Sequence, residues 1–159
     1  LEKSEIFDDQ RASRPLVQGT VARGHLGDDE HLYRGLLGGQ ATNSFPFTVD
    51  QQTLRRGQER YNIFCAPCHD QVGTGQGMIV RRGLRGPASF HIDRLRETPD
   101  GTFFETITRG FGVMPDYAQQ ITAEDRWGIV AYIRALQLSQ NARASDLAES
   151  ERRTLESTK

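Results

Sequence analysis

The stretch Cys65-Ala66-Pro67-Cys68-His69 decides how the rest of the chain is read. It holds both cysteines of the protein, three residues apart, with a histidine directly after them. In a helical turn, positions i, i+3 and i+4 share one face. Two thiols so placed reach the two vinyl groups of one porphyrin and form thioether bonds. The adjacent imidazole is then held under the iron as a permanent axial ligand. The pattern points to one covalent haem c with its iron. Two alternatives use the same residues. Half of a zinc site would need two further ligands; only His25, His31 and His91 remain, and His25 with His31 could supply a second pair. A thiol–disulfide redox pair is expected near the start of a βαβ unit, and no run of buried-strand character appears here.

With 159 residues, 36% of them hydrophobic, and 16 glycines, the chain can build one small core plus extensions. A porphyrin inside that core would make up for the shortage of apolar side chains. The net charge of −1 gives no case for nucleic acid. Its distribution says more. Residues 55–96 hold Arg55, Arg56, Arg60, Arg81, Arg82, Arg85, Arg94 and Arg96 against Glu59, Asp70 and Asp93, while the flanking segments are net acidic. Arg81, Arg82 and Arg85 read either as a solvated loop, or as groups that neutralise haem propionates or dock an acidic partner face. No run of about 18 apolar residues exists, so no transmembrane segment is expected in this chain.

Residues 1–47 read as an extended N-terminal arm. Their apolar residues keep neither a helical nor a strand period, and Gly and Asp interrupt them throughout. Such an arm is pinned either to its own domain or to a neighbouring subunit, and the shortage of self-burial favours the neighbour. Phe45-Pro46-Phe47 is the hinge into a domain spanning residues 48–140. Thr48 or Asp50 caps a first helix whose stripe Leu54, Gly57, Tyr61 and Phe64 steps by three and four. Gly57 in mid-helix costs about 1 kcal/mol relative to Ala, a cost that close approach of another helix offsets. Residues 70–90 carry too many glycines for regular structure and read as a loop around a flat cofactor. Short helices are expected over 91–97 and from Thr98-Pro99-Asp100, with Pro99 at the first position, Phe103, Phe104 and Ile107 inward and Gly110 as the stop. Thr122, paired with Asp125, caps a last helix carrying Trp127, Ile129, Val130, Tyr132, Ile133 and Leu136. Residues 141–159 form a polar tail with a weak helix from Ser145 to Glu156. The fold class is all-α: four or five short helices around one haem.

His69 leaves one iron position open. Met78 lies nine residues on, too close for a chain that must pass from one porphyrin face to the other. Met114 lies 45 residues on, and Pro115 restricts it to an extended conformation. A lone Met more often fills a core gap. The stretch Gly110-Phe111-Gly112-Val113-Met114-Pro115 is no helical core segment, so Met114 is the expected sixth ligand, ahead of Met78, His25 and His91. With both axial positions filled by protein, the iron changes oxidation state but offers substrate no site. That describes an electron carrier with no catalytic residues, rather than an enzyme.

These residues resemble class I c-type cytochromes over about residues 48–138. The resemblance implies the small cytochrome c fold, a close crossing of first and last helices at Gly57, Tyr61 and Tyr132, and a carbonyl at Pro87 that accepts the Nδ1–H of His69. A closer resemblance takes in the arm. "SRPLVQGTVARGHL", "RGQERYNIFCAPCHD", "SFHIDRLR" and "FGVMPDYAQQITAEDRWGIVAYIRALQLSQ" are similar to the mono-haem cytochrome c subunits of bacterial alternative complex III, a quinol-oxidising respiratory assembly. It implies a peripheral subunit on the periplasmic face of the cytoplasmic membrane. Its partners would be a multihaem cytochrome and other respiratory-complex subunits, with a terminal oxidase or soluble electron carrier taking the electrons. Both cysteines are committed to haem, so a lipid anchor is expected only on a cysteine upstream of Leu1. A free periplasmic cytochrome, and a haem sensor or enzyme with an open sixth site, are the competing readings.

Overall fold

The stripe Leu54, Gly57, Tyr61 and Phe64 forms the helix it predicts. In the computed structural model, which describes residues 17–21, 26–143, 145 and 147–157, helix α2 runs Gln51–Phe64. The Asp50 side chain caps it, accepting the Thr53 N–H at 2.7 Å. The last long helix, α7 (Ala123–Asn141), starts as its capping pair requires: the Thr122 hydroxyl accepts the Asp125 N–H. The two helices cross at glycines. A Cβ on Gly57 would overlap the Gly128 carbonyl, so the close approach expected of Gly57 is used here. Beside the crossing, Tyr61 is fully buried with its ring edge-on to Tyr132 at 5.3 Å.

Helix α6 (Asp100–Arg109) completes the core. Pro99 is its cap and Asp100 its first residue, one position later than the sequence suggested. Phe103, Phe104 and Ile107 are buried, and the Phe104 ring stacks on fully buried Trp127 at 4.7 Å. Gly110 stops the helix with φ +76°. Single turns complete the frame: α3 (Ala66–His69), α4 (Met78–Arg81) within the expected loop, and α5 (Asp93–Arg96) within the expected 91–97 helix. Helix α8 (Glu149–Ser157) lies in the polar tail.

The segment just before Thr48 differs from expectation. Residues 30–47 carry α1 (Glu30–Arg34) and a small hairpin, β1 (Leu36–Leu37) antiparallel to β2 (Gln40–Ala41). They rest on the domain that follows. Trp127 Nε1 donates to the Leu32 carbonyl at 2.9 Å, and Phe45 meets the same indole edge-on at 5.6 Å. Gly101 N–H donates to the Thr42 carbonyl, where a Cβ on Gly101 would overlap Gly35. These contacts join residues far apart in sequence, so no local period could announce them. Residues 1–16 and 22–25 of the expected arm, His25 included, lie outside the described residues. Among the described residues, no helix is long and apolar enough to cross a membrane.

Candidate haem site

α2 ends at Phe64, and the chain turns through Cys65 into α3. The N–H groups of Cys68 and His69 both donate to the Cys65 carbonyl, at 3.1 and 2.9 Å. That turn gathers Cys65, Cys68 and His69 at one corner. Both thiols are free; Cys65 is buried and Cys68 half-buried. Burial, followed by repulsion from Cys68, pushes the Cys65 thiol up to about 12. A thiol held so firmly protonated is a poor exchange nucleophile. Two of the other histidines are also engaged. His31 Nε2 lies 2.8 Å from the Ser44 carbonyl and its ring meets Trp127 edge-on; His91 Nε2 lies 2.7 Å from the Val72 carbonyl. Among the described residues, no group of three His, Cys, Asp or Glu side chains is arranged to hold a metal ion. Of the second pair that a zinc site would use, His31 is held on the Ser44 carbonyl and His25 lies outside the described residues.

Enclosure pushes the His69 pKa down to about 4 against a smaller opposing pull from Asp70. The imidazole is therefore neutral at pH 7, the form that binds iron. Its ring lies flat on Phe90, centroids 4.5 Å apart and planes 9° from parallel. Its Nδ1 is buried and makes no hydrogen bond. The bond to the Pro87 carbonyl implied by resemblance is not formed. Instead that carbonyl packs on the backbone of Gly75, whose N–H donates to the His69 carbonyl at 2.9 Å.

Asp70, directly after the histidine, organises the loop that follows. Its φ of 61° with ψ of 176° lies in a region that side chains seldom occupy. One carboxylate oxygen accepts the N–H groups of Val72, Gly73 and Thr74, at 2.8, 2.7 and 3.2 Å. The other accepts the Gln76 N–H and the Thr74 hydroxyl. The Tyr61 hydroxyl of α2 donates to its carbonyl at 2.8 Å. Burial alone would raise the carboxyl's pKa. The Thr74 hydroxyl and the loop N–H groups outweigh it and leave the value at about 2. The sequence held a usable signal, since Asp beside a Gly-rich run is a standard acceptor for turn N–H groups.

Met114 closes a tight turn, its N–H and carbonyl bonded to those of Phe111 at 3.0 and 3.1 Å. It is half-buried against the core, whereas Met78 is 56% exposed. Three residues on, Tyr117 sits edge-on to Phe64, and its phenol is pushed up by burial and then by the nearby Cys65 and Cys68. The loop thus runs alongside the cysteines. These residues fit haem c: two thiols on one turn, a neutral imidazole beside them, and a half-buried thioether packed against the core three residues before Tyr117. Of the eight arginines in residues 55–96, Arg56, Arg60 and Arg96 meet carboxylates. Arg81, Arg82 and Arg85 are exposed.

A mostly helical fold built round a CxxCH corner defines a c-type cytochrome domain. A family model described as "Cytochrome C oxidase, cbb3-type, subunit III" matches residues 52–133, just over half of the chain, and the chain belongs to that family. Such a domain carries covalently bound haem c with iron and transfers electrons through it. No curated protein matches the chain. Among solved structures, the chain is similar to one from the reducing HAO-like protein complex of Kuenenia stuttgartiensis, with a TM-score of 0.51 and 19% identity. The match covers 67% of this chain and 54% of that one, so this chain spans about half the length of its neighbour. At that identity the likeness speaks for the fold alone.

Proposed function

We propose that this protein carries single electrons through a haem iron held by His69 and Met114, with the porphyrin bound at Cys65 and Cys68. The corner that joins two thiols to a neutral imidazole carries the reading. Haem c supplies a one-electron couple at iron, and the chain supplies its setting. Cys65 and Cys68 would fix the porphyrin edge. His69 would bind iron through Nε2, and Pro87 would back the loop behind it. Met114 would supply the iron's other protein ligand, a thioether, which favours ferrous iron and raises the reduction potential relative to two imidazoles.

In this reading the protein is a peripheral subunit of a quinol-oxidising complex of the alternative complex III type. It would lie on the periplasmic face, held there by its partners. Electrons would come from a multihaem cytochrome subunit and pass to a terminal oxidase or soluble carrier. The whole-chain sequence resemblance supports this, as do Val17, Val21 and Leu26, which stand exposed on the described part of the arm. One observation favours a free periplasmic cytochrome instead. Within residues 30–47, Leu32 and Phe45 already pack against the core of their own chain beside Trp127, while Tyr33 and Leu37 stay exposed.

Mild detergent extraction followed by gel filtration separates the two. Co-elution with a multihaem cytochrome supports the subunit, and elution as a single chain supports the free carrier. Met114→Ala tests the ligand. The reduced variant should bind carbon monoxide while the native protein does not; native binding would mean an open sixth site.

A further inference from the structure

We propose that Phe90, clamped from α7 by Gln137, is a positioning residue that fixes the rotation of the His69 ring. The inference rests on reading His69 as the iron's axial ligand. An axial imidazole turns about its bond to the metal unless something holds its plane. The common restraint is a hydrogen bond from the other ring nitrogen. His69 Nδ1 is enclosed and makes none. What the imidazole has is the parallel face of Phe90 at 4.5 Å.

Phe90 cannot easily move. It is 7% exposed, and a Cβ on Gly73 would stand 2.7 Å from its Cδ2, so that position accepts nothing larger than glycine. Phe103 meets it edge-on at 6.1 Å, and Tyr61 lies tilted against it at 6.4 Å. Its N–H donates to the Gly73 carbonyl at 2.9 Å. Its carbonyl accepts from Gln137 Nε2 at 2.8 Å.

Gln137 is itself buried and fully committed. Its Nε2 also reaches the Leu95 carbonyl at 3.3 Å, and its Oε1 accepts from Arg134 Nη1 at 2.8 Å. Arg134 is tied to Asp100 at 2.6 Å and to the carbonyls of Arg96 and Thr98. Turning the Gln137 amide would break bonds on both of its ends. The longest helix of the fold therefore reaches the imidazole through one buried amide and one ring. Apolar filling alone would not require the flat stack or the amide behind it.

The test uses the purified ferric holoprotein and its proton NMR spectrum. The order and spread of the four porphyrin methyl resonances follow the plane of the axial imidazole. Phe90→Leu should change that order and shift the midpoint potential. Phe90→Tyr, which keeps a planar ring, should retain the native order. Gln137→Met should shift the pattern in the same direction as Phe90→Leu and by less. A Phe90→Leu protein that melts earlier but keeps the native methyl order would reduce Phe90 to packing. If Phe90→Leu fails to take up haem, Gln137→Met decides, and an unchanged pattern there overturns the inference. A native protein without a histidine-ligated haem c spectrum would instead overturn the proposed function, and this inference with it.

Discussion

The α2–α7 crossing and the loop from Asp70 to Gln76 lie on either side of the same histidine corner, and they are held by different physics. At the crossing, two backbones meet at Gly57 and Gly128, with Tyr61, Trp127 and Val130 sealed around them. Its stability comes from burial and close packing, which tolerate little change of volume. The loop buries little beyond Gly73 and Gly75. It is held by hydrogen bonds, chiefly those of one carboxylate that gathers backbone N–H groups no helix or strand could satisfy. A scaffold that must not move is built by packing. A wrap that must be threaded around a flat cofactor is built by directed hydrogen bonds.

The crossing should break hardest, and asymmetrically. Gly57→Ala places a methyl group on the Gly128 carbonyl, backbone against which nothing can yield, and should cost about 3 kcal/mol in thermal or denaturant melts. The reverse substitution should be mild. A Cβ on Gly128 finds its nearest neighbours at 3.5 Å, so Gly128→Ala should change stability by less than about 1 kcal/mol. Equal costs at the two positions would mean that the helices meet differently.

The loop should break next. Asp70→Ala removes its shared acceptor and should cost about 2 kcal/mol. Asp70→Gly loses the same bonds but relieves a backbone at φ 61°, so it should be about 1 kcal/mol less costly than the alanine variant. Acid sharpens the contrast. The folded carboxyl titrates at about 2 rather than the ordinary 3.8, so its contribution is whole above about pH 4 and lost as pH falls through about 2. Melts of Asp70→Asn should lack that part of the acid dependence, while Gly57→Ala should keep it. The smallest effect on stability belongs to Arg81, Arg82 and Arg85. Replacing all three with Glu should leave the melting temperature unchanged. Oxidation of the reduced protein by ferricyanide, an anion, should slow, and the dependence of its rate on ionic strength should weaken or reverse.

The same contrast explains what could be read from the sequence. α2, α6 and α7 declare themselves because their caps and apolar steps lie within a few residues of each other, as Asp50 with Thr53 and Thr122 with Asp125 do. The Cys65–His69 turn is equally local. The placement of residues 30–47 was not legible, because Leu32 and Phe45 find Trp127 across most of the chain. Gly128 was missed since its role exists only once α2 lies against it. Phe90 carried no signal at all, being one aromatic in a loop until the fold sets it on His69. Pro87 shows the opposite hazard: a role carried over by resemblance gave way to a different contact at Gly75.

The central claim is a haem c at Cys65, Cys68 and His69 with Met114 on the iron's other face, and absorption spectroscopy of the purified protein tests it most directly. The reduced protein should give the sharp α band of haem c, and the oxidised protein the weak far-red band of a ferric-iron–thioether bond. Met114→Ala should lose only the far-red band. An α band without the far-red band in the native protein would contradict the sixth ligand. No haem spectrum would contradict the account from its first cysteine.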